Sequence, residues 1–163
     1  MRERITARVL LFDPQGRILL MKGRLPHAPD APGEWFTVGG GVEPGESVLQ
    51  AAAREIVEET GFAGVELGQA VWMREVEAAT RRGDPVLVRE TYVLARCAGG
   101  DPCRDGWDAR EQSLIDDIRW WSLEEIHAAE ETFHPQDAAR LLADILAGNI
   151  PQTPLVLPRL TRR

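Results

Sequence analysis

From Ile5 to Phe12 aliphatic and β-branched residues run almost unbroken, which predicts a strand. Asp13-Pro14-Gln15-Gly16 supplies a turn, and Arg17 to Lys22 returns as the partner strand of a hairpin. Gly23 to Glu34 carries three prolines and His27 and reads as a loop long enough to overhang a site. Trp35 to Val38 is a short strand that feeds a turn rich in glycine, with Gly39, Gly40, Gly41 and Gly45 interrupted by Pro44. The apolar period then becomes helical and stops at Gly61, a residue that tolerates the positive φ of a C-terminal cap. At about 100° per residue, Leu49, Ala53, Ile56, Val57 and Thr60 share one arc, which is assigned to the core. Glu55, Glu58 and Glu59 fall on another arc, above Ala51 and Ala52.

Beyond the helix, Val65 to Glu77 reads as a long strand bulged near Gly68, with Val86 to Arg96 as its antiparallel partner across the Arg81–Pro85 turn. Ala98 to Gln112 is an irregular acidic loop, and Ile118 to Trp121 is a short strand. Ser122 and Glu125 have capping-box spacing at the start of a short helix. A last helix over 136–147 starts behind Pro135, carries Leu141, Leu142, Ile145 and Leu146 as its apolar stripe and stops at Gly148. The pattern implies an α/β fold: a mixed β-sheet between helices, in one domain over residues 1–150. A proline-containing tail, 151–163, is expected to be extended or partly disordered.

The acidic arc is poorly placed for stability. Like charges at i,i+3 and i,i+4 repel by about 0.2–0.5 kcal/mol per pair. Carboxylates in the last turns of a helix also oppose its dipole, by about 0.3–1 kcal/mol each. Arg54 is one cation against three anions. A bound divalent cation would remove the conflict, since hard cations take oxygen ligands and bridge carboxylates to phosphates. The plainer reading is an acidic helix face in water.

Gly40, five residues, Glu46, seven residues and then Arg54-Glu55-Ile56-Val57-Glu58-Glu59-Thr60-Gly61-Phe62 resembles the Nudix box. At about 5–10% background frequency for each of its seven fixed identities, a chance match is on the order of 10⁻⁸. Phe62 and Val38 depart from the family, which favours an aliphatic residue and a proline at those positions. The resemblance implies a Nudix-like α/β/α sandwich. It further implies a Mg²⁺- or Mn²⁺-dependent hydrolase of the pyrophosphate linkage in a nucleoside diphosphate joined to another moiety: a nucleotide sugar, a dinucleotide or a nucleoside triphosphate. Metal ligands by resemblance are Glu55, Glu58 and Glu59, with the backbone carbonyl of Gly40. Glu58 or Glu59, or a general base from beyond the box, activates water; Glu111 is preferred for that base over Asp105, Asp108 and Glu90. Arg54 positions the carboxylates, and Glu46 supports the site or simply begins the helix. No marker of a Nudix subfamily follows the box.

The net charge of −7 argues against a nucleic-acid backbone as partner. Two cysteines, Cys97 and Cys103, suit reduced thiols, and no leader or membrane-spanning run is read; a cytoplasmic protein, possible as a homodimer, is expected. Arg24, Arg89, Trp72, Trp107 and His27 are candidate substrate contacts, with Trp35, Trp120 and Trp121 assigned to the core. Asp101, Asp105 and Gly106 imitate part of an EF-hand, but Cys103 and Gln112 stand where carboxylates are needed. The rival readings are a non-catalytic nucleotide-binding sensor or interaction domain and an isomerase of diphosphate esters using a cysteine.

Overall fold

The computed structural model describes residues 1–24, 28 and 30–162, which leaves His27 outside the described residues. Its elements in chain order are β1 (Arg2–Phe12), β2 (Ile18–Gly23), β3 (Glu34–Gly41), α1 (Val48–Thr60), β4 (Glu66–Ala79) and β5 (Pro85–Arg96). These are followed by α2 (Ala109–Leu114), β6 (Ile115–Trp121), α3 (Leu123–Ala128), α4 (Ala138–Leu146), β7 (Leu155–Val156) and β8 (Leu160–Thr161). One mixed sheet runs β6-β2-β3-β1-β5-β4-β7, with β8 also on β4. Strand β1 is parallel to β5 and antiparallel to β3, and β4 and β5 form the long antiparallel hairpin. The bulge expected near Gly68 appears as register shifts between Leu67 and Trp72. The chain is an α/β protein with helices on both faces of a mixed sheet.

Strand alternation divides the core. Ala7, Val9, Leu11, Leu19, Met21 and Val38 face α1 and pack with Ala51, Ala52, Ile56 and Trp107. Leu10, Phe12, Leu20, Trp35, Trp72 and Trp121 face the opposite way, where α3 and α4 cover them with Ile126, Leu141, Leu142 and Ile145. Trp35 and Trp121 are core residues as expected; Trp120 is only half-buried and stacks on Phe62. The Ser122–Glu125 capping box is present, and α2 begins inside the stretch expected to be irregular, with Asp108 as its N-cap.

Helix α1 buries only part of the arc expected of it: Ile56 and Thr60 are buried, the rest is not. Leu49 is 48% and Val57 60% exposed, and Ala53 also faces solvent. Beside Ile56 and Thr60, the residues buried are Ala51, Ala52, Glu55 and Glu59. The small alanines let the helix lie close to the sheet, and the carboxylates they bring along find partners there. An apolarity pattern cannot foresee a buried face that includes two carboxylates. Leu146 of α4 is likewise exposed, whereas the other three residues of its stripe are buried.

The tail is ordered onto the sheet. Leu155 and Val156 pair with Trp72 and Met73 of β4, Leu160 and Thr161 with Val76 and Glu77, and Leu157 N–H donates to Met73 O at 2.8 Å. Leu157 is only 6% exposed and belongs to the α3–α4 core. Leu157→Ala should therefore cost about 2–5 kcal/mol in urea-unfolding free energy, the range for a buried leucine. A cost below about 0.5 kcal/mol, as at a surface site, would mean that the tail is not part of the folded unit.

Candidate active site

Gly39, Gly40 and Gly41 end β3 beside the last turns of α1. Ser47 and Gln50 start that helix with a reciprocal capping box, and Gly61 ends it at φ 73°. The 98–108 loop closes its C-terminal end: Cys103 N–H donates to Thr60 O at 2.7 Å and the Trp107 indole to Glu59 O at 2.7 Å. Trp107 is thereby a buried support of the acidic helix and not a base-stacking surface; Trp72, 2% exposed, is core as well.

Glu55 and Glu59 turn toward the glycine strand. A Cβ on Gly40 would overlap the Glu55 carboxylate, so only glycine allows this approach. Gly39 N–H donates to Glu59 Oε2 at 3.3 Å. Burial holds the Glu59 carboxyl well above the usual carboxylate range, and Glu55, close enough to share a proton with it, pushes the same way. Arg54 clamps the surroundings. Its Nε and Nη2 each lie 2.9 Å from one Glu46 oxygen, its Nη1 donates to Glu55 at 2.9 Å and to Glu58 at 3.3 Å, and its Nη2 also reaches Gly41 O at 2.9 Å. That guanidinium pushes Glu46 down to about 2. Glu58 stays on the exposed rim, held only by Arg54.

Glu111 comes to the same place from α2. Its Oε2 is buried without a hydrogen-bond partner. Burial raises its pKa, and the charges of Asp108, Glu55 and Glu58 add to the rise. Asp108 caps α2, Asp105 lies exposed in the loop, and Glu90 is committed elsewhere. Among the described residues no three His, Cys, Asp or Glu side chains already converge as a finished cage. The donor set is nevertheless all oxygen: two buried carboxyls against each other, a third on the rim and a carbonyl strand without side chains. These residues could hold a hard divalent cation, which would relieve the Glu55–Glu59 conflict.

The site opens into a cleft of about 1310 Å³ on the sheet face that α3 and α4 leave uncovered. Arg24, Ala31 and Pro32 of the loop before β3 border it, so part of that loop does overhang the site. Arg24 Nη2 donates to Ser113 O at 2.7 Å. Arg89 pairs with Glu3 and Glu75 and does not line the cleft. The floor centres on Glu90, a candidate base in the sequence, with partners that the sequence reading did not single out: Glu90 accepts from Arg74 at 2.9 Å, Arg8 at 3.3 Å and Tyr92 at 3.2 Å, and His134 Nε2 lies 2.6 Å from Glu34. Arg162, from the tail, lines the same cleft.

A family model for the NUDIX domain matches residues 2–145. The chain belongs to the Nudix family. This Nudix chain is 29% identical over 155 residues to an uncharacterised Nudix hydrolase of Yersinia pestis, covering 93% of this chain and 76% of that one. It is 48% identical over 59 residues to an RNA pyrophosphohydrolase of Caulobacter vibrioides, a match spanning 36% of this chain and only 33% of that protein's length. Its fold matches the crystal structure of a MutT Nudix hydrolase from Burkholderia pseudomallei at TM-score 0.56 and 25% identity, over 89% of this chain and 99% of that one.

Burial alone would raise the pKa of Glu90, but Arg8 and Arg74 outweigh it and hold the carboxyl below its usual range. Its ionic contribution is thus present above the ordinary carboxylate value, about 4.3, and is lost as pH falls through the lower folded-state value. Glu90→Gln should cost about 3–5 kcal/mol of unfolding free energy at pH 7, because two arginines lose their anion. The gap from wild type should narrow as pH drops below about 4. A gap independent of pH in denaturant titrations would contradict the ion-pair assignment.

Proposed function

We propose that this Nudix protein is a divalent-metal-dependent hydrolase of the pyrophosphate linkage in a nucleoside diphosphate derivative. The observation that carries this reading is the buried Glu55–Glu59 pair lying against Gly40 in the wall of a cleft whose floor and rim are rich in arginine. The family membership and the names of the relatives support the reaction class.

In this reading Glu55, Glu59 and the Gly40 carbonyl hold Mg²⁺ or Mn²⁺, with Glu58 as a third carboxylate from the rim. Such a cation supplies Lewis-acid polarisation and charge neutralisation at the phosphates. Arg54 keeps the carboxylates in place through its fork to Glu46 and its bond to Gly41 O, and performs no chemistry itself. Glu111 takes the proton of the attacking water. Its carboxyl is only partly buried, its Oε2 has no hydrogen-bond partner, and a raised pKa makes its carboxylate a better base near neutrality. Water adds to one phosphorus, the bridging P–O bond breaks, and the products are two phosphate esters or an ester and a free phosphate. Glu58 or Glu59 takes the proton if Glu111 does not.

Product release from a panel of nucleotide sugars, dinucleotides and nucleoside triphosphates, with Mg²⁺ or Mn²⁺, tests this. Glu59→Gln should abolish turnover, and Glu111→Gln should lower kcat about 10²–10⁴-fold with little change in KM. Tight binding of a panel member without turnover, indifferent to Glu59→Gln, would sink the hydrolase and leave a nucleotide sensor. Arg54→Ala should weaken metal binding about 10–100-fold in a direct Mn²⁺ titration, as loss of a ligand-orienting partner does. Unchanged Mn²⁺ affinity would remove Arg54 from the site.

A further inference from the structure

The arginines at the start of β1 are used by nothing described above. Strand alternation, at about 6.6 Å per two residues, places Arg2, Arg4, Thr6 and Arg8 on the face that opens into the cleft. Arg8 is committed to Glu90. Arg2, Arg4 and Arg110 also line the cleft, and their side chains form no hydrogen bond or ion pair with any described residue. Partial burial and then the charges of Arg110, Arg8 and Arg2 depress the Arg4 pKa, and Glu55 opposes them only in part. Three guanidinium groups without an ion-pair partner of their own among the described residues, in a chain of net charge −7, mark an anion site within a cleft that carboxylates also line.

Two further observations point to a ligand and to its place. Thr37 Oγ1 and His134 Nδ1 lie in the same cleft without partners, in residues only 2% and 7% exposed. Arg4 also lies directly on the glycine strand: a Cβ on Gly41 would sit 2.8 Å from Arg4 Nη2. Gly40, the neighbouring residue, is the one against which Glu55 rests. Glu55 and Arg4 thus rest on adjacent residues of one strand end, both line the cleft, and the Glu55 charge acts on Arg4. A chain of phosphates lying in the cleft would run between the two.

We propose that Arg4, flanked by Arg2 and Arg110, is a phosphate subsite that takes the terminal phosphate of a substrate with three or more phosphates in a row. The inference rests on the hydrolase reading for the phosphates beside it and narrows the substrate class. A nucleotide sugar offers the arginines only a neutral ring, whereas a nucleoside triphosphate offers the anion they lack.

The test separates the two ideas by working first without metal. In chelator the carboxylate end repels phosphate, so calorimetric titration with inorganic tripolyphosphate and with pyrophosphate reports the arginines. Wild type should bind tripolyphosphate about tenfold or more tighter than pyrophosphate, with an affinity that falls steeply with salt. Arg4→Gln and, independently, Arg110→Gln should erase that margin. Arg159→Gln, which removes a cation paired with Glu77 on the far side of β4, should keep it. Equal affinity of wild type for the two anions, or a margin retained in both Arg4→Gln and Arg110→Gln, would overturn the subsite, as would its equal loss in Arg159→Gln. With Mg²⁺ restored, wild type should show a higher kcat/KM for a nucleoside triphosphate than for a nucleotide sugar, and the reverse order would also overturn it. A wild type that hydrolyses neither fails the hydrolase reading alone, and the binding margin still decides the subsite.

Discussion

The site depends on the contact between a carboxylate and a strand end, Gly39 to Gly41, that has no side chains. Glu55 can lie where it does because Gly40 has no Cβ, and Glu59 can be buried because Gly39 offers it an N–H. Burying two like charges edge to edge is costly unless something neutral or cationic completes the group. The protein contributes part of the compensation through Arg54, which ties Glu46, Glu55, Glu58 and the Gly41 carbonyl into one unit. What remains unbalanced is the Glu59 carboxyl, held protonated more readily than an ordinary glutamate. The acidic helix is thus stable in position but poised electrostatically.

The rest of the fold supports that contact from two sides. Trp107 and Cys103 satisfy the last carbonyls of α1, where the helix dipole would otherwise worsen the acidic crowding. On the opposite sheet face, α3 and α4 cover only the apolar half, and the other half stays open as the cleft. The open half is charged because it is open. Arg8 and Arg74 share the Glu90 carboxylate there, while Arg2, Arg4 and Arg110 have no such ion pair with a described residue.

Local patterns made much of this legible. The hairpin of β1 and β2, the long β4–β5 pair with its bulge, the Gly61 stop and the Ser122 capping box all come from interactions within a few residues, which alternation and turn chemistry report directly. The spacing from Gly40 to Phe62 singled out Glu55, Glu59, Arg54 and Glu46, and the structure brings these four together. Glu111, chosen only for lying in a loop before a final strand, also reaches the cleft. The burial of Leu49 and Val57 was misjudged, because an apolar arc outranks an acidic one in any pattern that does not know the partners. The β1 arginines were legible in principle: a strand read back from Ile5 to Arg2 would have put three of them on one face.

By itself, then, the chain determined the order of its elements except α2, β7 and β8, its α/β class and the acidic helix behind a glycine turn, since each is encoded by neighbours in sequence. Tertiary structure alone decided which face of α1 is buried, that the proline-bearing tail closes onto β4, and that Arg162 enters the same cleft as Arg8. Those outcomes join residues from opposite ends of the chain. They depend on which surface is left uncovered once the sheet and helices have packed, and no local pattern carries that information.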